Sequence, residues 1–248
     1  MKKVLITGGS EGIGLAFAKE YAKQKYHLFL AARSRNKLEK AAADIQHQYN
    51  VPVTVISCDL SETGTAEKLF AELEQEEIDV LINNAGCGYA GEALKIDAAA
   101  EKKMIQLNIS SLVTLTKLFG AQMTARNSGT IVNVASTGAF QPGPYIASYY
   151  ASKSFVLSYT RALKEELKNT NVQIYCLCPG PVDTGFYQKS GGVMSRCHIS
   201  PEACAAYAVR HMHNHAVLIP DALNRFLIIL PSGLKMKWLA GVKKKNLK

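Results

Sequence analysis

Tyr149 and Lys153 lie four residues apart, and Ser136 precedes the tyrosine by 13 positions, just after an apolar run. On a helix that four-residue spacing puts phenol and amine on one face. A free tyrosine has a pKa of about 10 and is a poor base at neutral pH, but a nearby ammonium favours the phenolate. The same phenol can give its proton to a forming alkoxide while the Ser136 hydroxyl hydrogen-bonds the reacting oxygen. Such a trio suits proton transfer at a carbonyl or alcohol carbon. Alone, a Tyr-x-x-x-Lys spacing reads as an ordinary exposed helix face. Tyr145 and Tyr150 compete for the role, and the spacing to Lys153 selects Tyr149.

A second constellation lies near the start. After Val4-Leu5-Ile6 comes Thr7-Gly8-Gly9-Ser10-Glu11-Gly12-Ile13-Gly14, which opens the helical pattern Leu15-Ala16-Phe17-Ala18. Glycines let a backbone turn tightly against a pyrophosphate, and free N–H groups at a helix start favour its charge. The spacing Gly8, Gly12, Gly14 departs from the GxGxxG fingerprint, so support is needed from elsewhere. It comes 19 positions past Gly14, where Arg33 is followed by Ser34 and Arg35. An acid there would bind the ribose hydroxyls of NAD. Arginine instead offers a charge-assisted fork to a 2′-phosphate. NADP(H) is therefore favoured and NAD(H) stays open; the bland alternative is two arginines solvating a loop. Further on, Asp59 and the neighbouring backbone at Leu60 are placed to hold an adenine edge. Asn83-Asn84-Ala85-Gly86 could shape a turn and reach a ribose.

These residues need a scaffold that gathers them. Short apolar runs at 4–6, 28–31, 53–56, 80–82, 131–134 and 174–177 read as strands. Between them, 15–22, 38–45, 65–73, 104–123 and 149–167 carry helical apolar spacing. The alternation predicts an α/β, doubly wound parallel sheet of Rossmann type with helices on both faces. In that arrangement the loops after the strands line one crevice.

Taken jointly, the motifs resemble the short-chain dehydrogenase/reductase family. TGGSEGIG, NNAG, Asn108, Ser136, YYASK and CPGPVDT stand in the family's order and spacing over roughly residues 2–220. The resemblance implies a sheet of about seven strands. It implies that Ser136 orients substrate, that Tyr149 is the acid/base, and that Lys153 binds nicotinamide ribose and tunes the tyrosine. It also implies that Asn108 supports a water-linked proton relay from Lys153. Gly8, Ser10, Ile13, Asp59, Leu60 and Asn84 match the family's cofactor-contact positions, and Pro179, Gly180, Val182 and Thr184 match the segment bracketing the nicotinamide. One departure is Glu11, where some NADP-using members carry a basic residue. The activity implied is interconversion of a ketone or aldehyde with an alcohol. A non-catalytic dinucleotide-binding sensor or scaffold is the competing class.

Composition bounds the rest. A 248-residue chain with 48% hydrophobic residues fits one large domain, expected at 1–232, followed by a basic tail at 233–248. The six cysteines form no CxxC pair and read as small buried hydrophobes, and no metal site is expected. With only a short apolar run after Met1, the expected location is cytoplasmic. Substrate choice is expected in Phe140 to Tyr145 and in Phe186 to Met194, whose Gly191-Gly192 suggests a mobile lid. Their apolar and aromatic character suits a lipophilic ketone, a 3-oxoacyl thioester or a steroid-like carbonyl. The net charge is +9, concentrated near the end, with no motif for nucleic acid. Apolar residues from Leu227 to Leu239 among lysines could cap the site or lie on an anionic membrane surface. The favoured reading is a docked helix that frays into a solvated tail. The helices near 108–123 and 149–167 resemble those through which family members associate, so a homo-oligomer is expected.

Overall fold

The structure, a computed structural model, describes residues 1–191, 197–213 and 215–229, with residues 233, 236, 240 and 241. Gly192 to Met194 of the expected lid, and most of the expected tail, lie outside these residues. Along the chain run β1 (Lys3–Thr7), α1 (Gly12–Lys23), β2 (His27–Ala32), α2 (Arg35–Tyr49), β3 (Val53–Ser57) and α3 (Thr65–Leu73). Then come β4 (Val80–Asn83), α4 (Ala98–Ile105), a π-helical stretch (Gln106–Ser111), α5 (Leu112–Ala125), β5 (Gly129–Val134) and α6 (Ala147–Glu166). β6 (Val172–Leu177), α7 (Phe186–Ser190), α8 (Pro201–His211), β7 (Val217–Leu218) and α9 (Ala222–Leu227) complete the described elements.

The strands form one parallel sheet in the order β3-β2-β1-β4-β5-β6-β7. Its two-residue side-chain period feeds both faces. Val4 and Ile6 point into a core with Phe17, Leu38 and Ala208 of α1, α2 and α8. Leu5 points the other way, to Leu69 of α3 and to Leu115 and Phe119 of α5. Because the strand order reverses between β1 and β4, the carboxyl ends of those two strands open the crevice in which the site is found.

Two local departures from the sequence pattern affect the site. The single helix expected over 104–123 is broken by the π-helical stretch, which adds a residue to one turn and brings Asn108 inward. A strand as short as β7 left no run to recognise. Of the cysteines, Cys176, Cys178 and Cys204 are buried as expected, Cys58 and Cys87 are half-buried, and Cys197 is exposed instead.

Candidate active site

The turn after β1 is held by backbone and by one asparagine. Gly8 and Gly12 have φ of +65° and +56°, a region that glycine adopts without strain. A Cβ on Gly14 would lie 2.2 Å from the Gly8 carbonyl oxygen, so nothing larger than hydrogen fits. The Asn84 amide donates to the carbonyls of Thr7 (3.0 Å) and Gly8 (3.3 Å). The Thr7 hydroxyl in turn accepts from the N–H groups of Asn84 and Ala85, both at 3.0 Å. No side chain caps α1, and its first turn holds no acid. A dinucleotide pyrophosphate fits this cradle, because the close glycines and uncapped helix start are what an anion's approach requires.

At the adenosine end the predicted residues separate. Arg33 is exposed, with Nη1 4.0 Å from the Asp59 carboxylate, and its carbonyl accepts from the Ser57 hydroxyl. Arg35 turns away to Glu39 at 2.9 Å on α2, so only Arg33 of the two faces the loop after β3. Ser34 caps α2. Asp59 accepts from both the N–H and the hydroxyl of Ser61, which shapes its own turn. Leu60 is buried in the core, and its carbonyl accepts from the Ser111 hydroxyl at 2.6 Å. Asn83 is drawn downward into a buried ladder: its amide donates to Thr116 and Asn133, and Asn133 donates to Thr160. That ladder ties β4 and β5 to α5 and α6 beneath the site.

The catalytic candidates do converge. Tyr149 lies in the first turn of α6 and hydrogen-bonds Ser136, whose Oγ also accepts from the Gly138 N–H at 3.1 Å. Lys153, 4% exposed, has Nζ 5.8 Å from the centre of the Tyr149 ring and donates to the Val134 carbonyl at 2.8 Å. Asn108 is fully buried; its Oδ1 accepts from the Cys87 N–H, and its Nδ2 donates to the Cys87 carbonyl and the Ser152 hydroxyl. A Cβ on Gly86 would lie 3.2 Å from Asn108 Oδ1 and 3.4 Å from Lys153 Nζ, so these two polar groups face one spot. Tyr150 packs its ring over Gly138 and Gly143, away from Lys153. Of the three competing tyrosines, Tyr149 alone combines the Ser136 and Lys153 contacts.

The ammonium and a cationic nicotinamide together are expected to acidify Tyr149; in the chain alone, burial holds the phenol well above its ordinary value, opposed by the Ser136 hydrogen bond. The same burial lowers the Lys153 amine to about 8. Phe186 covers the phenol, with ring centres 5.2 Å apart, and Gly88 lies so close that a Cβ would be 2.8 Å from the Tyr149 ring. Near pH 8 the phenol is therefore neutral while the amine is about half protonated.

The segment after β6 crosses the cleft. Pro179 accepts from the Thr137 N–H at 2.9 Å, and Val182 bridges to Ile199. Thr184 comes over the glycine turn, where a Cβ on Gly12 would lie 3.0 Å from its methyl group. Gly180 lies against Asn224 of α9. Ile13 is partly buried and packs against the core cluster, and Ser10 is partly buried. Sequence reading gave no contacts for four residues near the site. Ser152 links Asn108 to the Tyr149 carbonyl. Cys87 and Tyr89 continue the loop after Asn84 into the cleft, where burial pushes the Cys87 thiol up. Glu11 pairs with both Lys37 (2.8 Å) and Lys189, which holds its carboxyl below the usual range. Ser152 inside YYASK, Glu11 inside TGGSEGIG and Cys87 directly after NNAG lie in or beside motifs, but the partners of Glu11 depend on chain crossings.

A family model described as short chain dehydrogenase matches residues 2–192. The chain belongs to the short-chain dehydrogenase/reductase family. A very-long-chain 3-oxoacyl-CoA reductase of Anas platyrhynchos is 36% identical over 185 residues, covering 73% of this chain and 59% of that protein. This match thus spans less than two thirds of the relative's length. A short-chain dehydrogenase of Sphingobium yanoikuyae, solved with NADPH, is 26% identical with a TM-score of 0.86 and covers 97% of this chain and 96% of its own. A 7β-hydroxysteroid dehydrogenase at 22% identity shares the fold, with a TM-score of 0.89 over 96% of both chains. The seven-strand parallel sheet is thus the family's Rossmann-type fold.

Proposed function

We propose that this short-chain dehydrogenase/reductase interconverts a lipophilic ketone or aldehyde and its alcohol using NADP(H), with a 3-oxoacyl thioester as the favoured substrate class. The observation that carries the reading is the Tyr149 phenol bonded to Ser136 above a buried Lys153, at the mouth of an anion-accepting glycine turn. When bound, the dinucleotide supplies the hydride to the carbonyl carbon. Ser136 donates a hydrogen bond to the carbonyl oxygen and fixes its position. Tyr149 delivers the phenolic proton to that oxygen, and a phenol held protonated by burial suits the reductive direction. Lys153 binds the ribose hydroxyls and, once protonated, offsets the charge left on the phenolate. Asn108 holds the water that returns a proton to Lys153.

Gly8, Ser10, Gly12, Ile13 and Gly14 take the pyrophosphate, and Arg33 with Ser34 takes the 2′-phosphate. Asp59 and the Leu60 backbone border the adenine. Asn84, Ala85 and Gly86 border the ribose, while Pro179, Gly180, Val182 and Thr184 bracket the nicotinamide ring. Support for a lipophilic substrate comes from Phe186, Tyr187 and Tyr150 around the phenol, and from the 3-oxoacyl-CoA reductase named for the duck relative. An exposed Phe155 stacked on Tyr159 along α6 supports a homo-oligomer, and the cytoplasm remains the proposed compartment. The deciding test is NADPH oxidation against a panel of 3-oxoacyl thioesters, steroid ketones and sugars, repeated with NADH. Turnover of lipophilic carbonyls with a preference for NADPH is expected. Activity confined to sugars, or no turnover alongside tight NADPH binding, would overturn the reading.

A further inference from the structure

Helix α9 presents two unlike faces. On the inner one, Asn224 is fixed by Asp221 (2.8 Å), and a Cβ on Gly180 would come within 2.1 Å of its amide nitrogen; Ile228 packs on the cluster shared with Phe140 and Val217. On the outer one, Leu223 and Phe226, with Ile229 two residues past the helix end, are spaced three apart and are 54%, 64% and 79% exposed. Three large apolar side chains standing side by side in water mark a surface that something covers.

Charge indicates what covers it. From Ala222 to Lys248 the sequence holds Arg225 and six lysines and no Asp or Glu, a contribution of +7 to the net +9. The preceding 221 residues therefore carry +2. A second copy laid on this stripe would bring its own +7 against the first, which disfavours self-association there. An anionic lipid surface offers both what the stripe lacks and what the lysines attract: an acyl boundary for the apolar groups and phosphate or carboxylate headgroups for the cations.

We infer that the exposed stripe at α9 docks on an anionic lipid surface, with Leu223, Phe226 and Ile229 entering the headgroup–acyl boundary. The inner face of α9 lies against Gly180, so docking would hold the cleft beside the lipid. If the proposed lipophilic substrate is right, this is also where such a molecule partitions. The docking itself does not depend on that activity.

The test is flotation of the full chain with extruded phosphatidylcholine vesicles, with and without phosphatidylserine. Binding is expected only to the anionic vesicles and should weaken with salt, since each basic residue near such a surface contributes about fivefold in partitioning. Leu223→Ser/Phe226→Ser/Ile229→Ser should reduce partitioning by roughly tenfold or more while the melting temperature and the size of the protein in solution stay unchanged. Absence of flotation, or equal flotation on both vesicles, would overturn the inference. So would a triple variant that binds lipid normally, or one that drops to a smaller oligomer, which would assign the stripe to a second copy. Because flotation needs neither cofactor nor substrate, its failure is separable from failure of the enzymatic reading.

Discussion

The turn after β1 and the segment running from β6 through α7 face each other across one cleft and are held in different ways. The turn is fixed by backbone: glycines with no room for a methyl group, and an asparagine locking two of its carbonyls. The opposing segment is anchored by backbone bonds at Pro179, Asp183 and Ser190, but its cover over the cleft is closed by side chains, chiefly Phe186 on Tyr149 and the Lys189 ion pair with Glu11, both at a partly exposed surface. Anion binding needs dipoles that do not reorganise. A substrate pocket must open and close. Phe186 of this cover, with Gly88 and Tyr150, buries Tyr149, and that burial keeps its proton on.

The sharpest way to break this division is at the phenol. Tyr149→Phe should lower kcat by about a thousandfold while NADPH binding, followed by fluorescence, is retained. Tyr150→Phe should keep most activity, and equal losses would dissolve the assignment. Next come paired glycine substitutions. Gly14→Ala places a Cβ 2.2 Å from a carbonyl oxygen and should weaken NADPH binding by about a hundredfold or more. Gly191→Ala would place its Cβ 3.9 Å from the Ala90 carbonyl oxygen, an ordinary contact, at a φ of +71°, so it should lose roughly 1 kcal/mol of stability with NADPH affinity intact. A similar loss of affinity in both would show that the two walls are not distinct. Arg33→Ala should raise KM for NADPH by about tenfold and leave NADH unaffected.

A pH profile sharpens the comparison further. In the unfolded chain the Lys153 amine stays protonated to about 10.4, but in the folded chain only to about 8. Between these values the unfolded state binds more protons, so stability of the ligand-free protein rises with pH across that window. Over the same window kcat/KM for NADPH should fall as the ammonium is lost, and Lys153→Arg should move that limb upward. The smallest effect is expected at the exposed latch: Lys189→Met should change stability by under about 1 kcal/mol, with any kinetic change confined to the KM for the carbonyl.

Much of this architecture was legible because parallel strands buried on both faces must be apolar throughout. The runs at 4–6, 28–31 and 174–177 all lie within β1, β2 and β6, and 65–73 coincides with α3. The π-helical stretch was not legible. Gln106-Leu107-Asn108 carries no breaker, and what holds it is Asn108 bonded to the Cys87 backbone, a partner 21 residues away in sequence. Likewise Arg33 and Arg35 are equivalent as a pattern, and only the pairing of Arg35 with Glu39 at 2.9 Å separates them.

By itself the sequence determined the order of strands and helices, the glycines at the phosphate turn and the spacing of Tyr149 to Lys153, because each of these is set by local sterics and short periodicity. Tertiary structure alone decided that Glu11 meets Lys189 and that Phe186 lies over Tyr149. It also decided which way the phenol and the amine are displaced in pKa. Burial and charge act through space between segments that no local rule connects, so their sum is defined only once the chain has closed on itself.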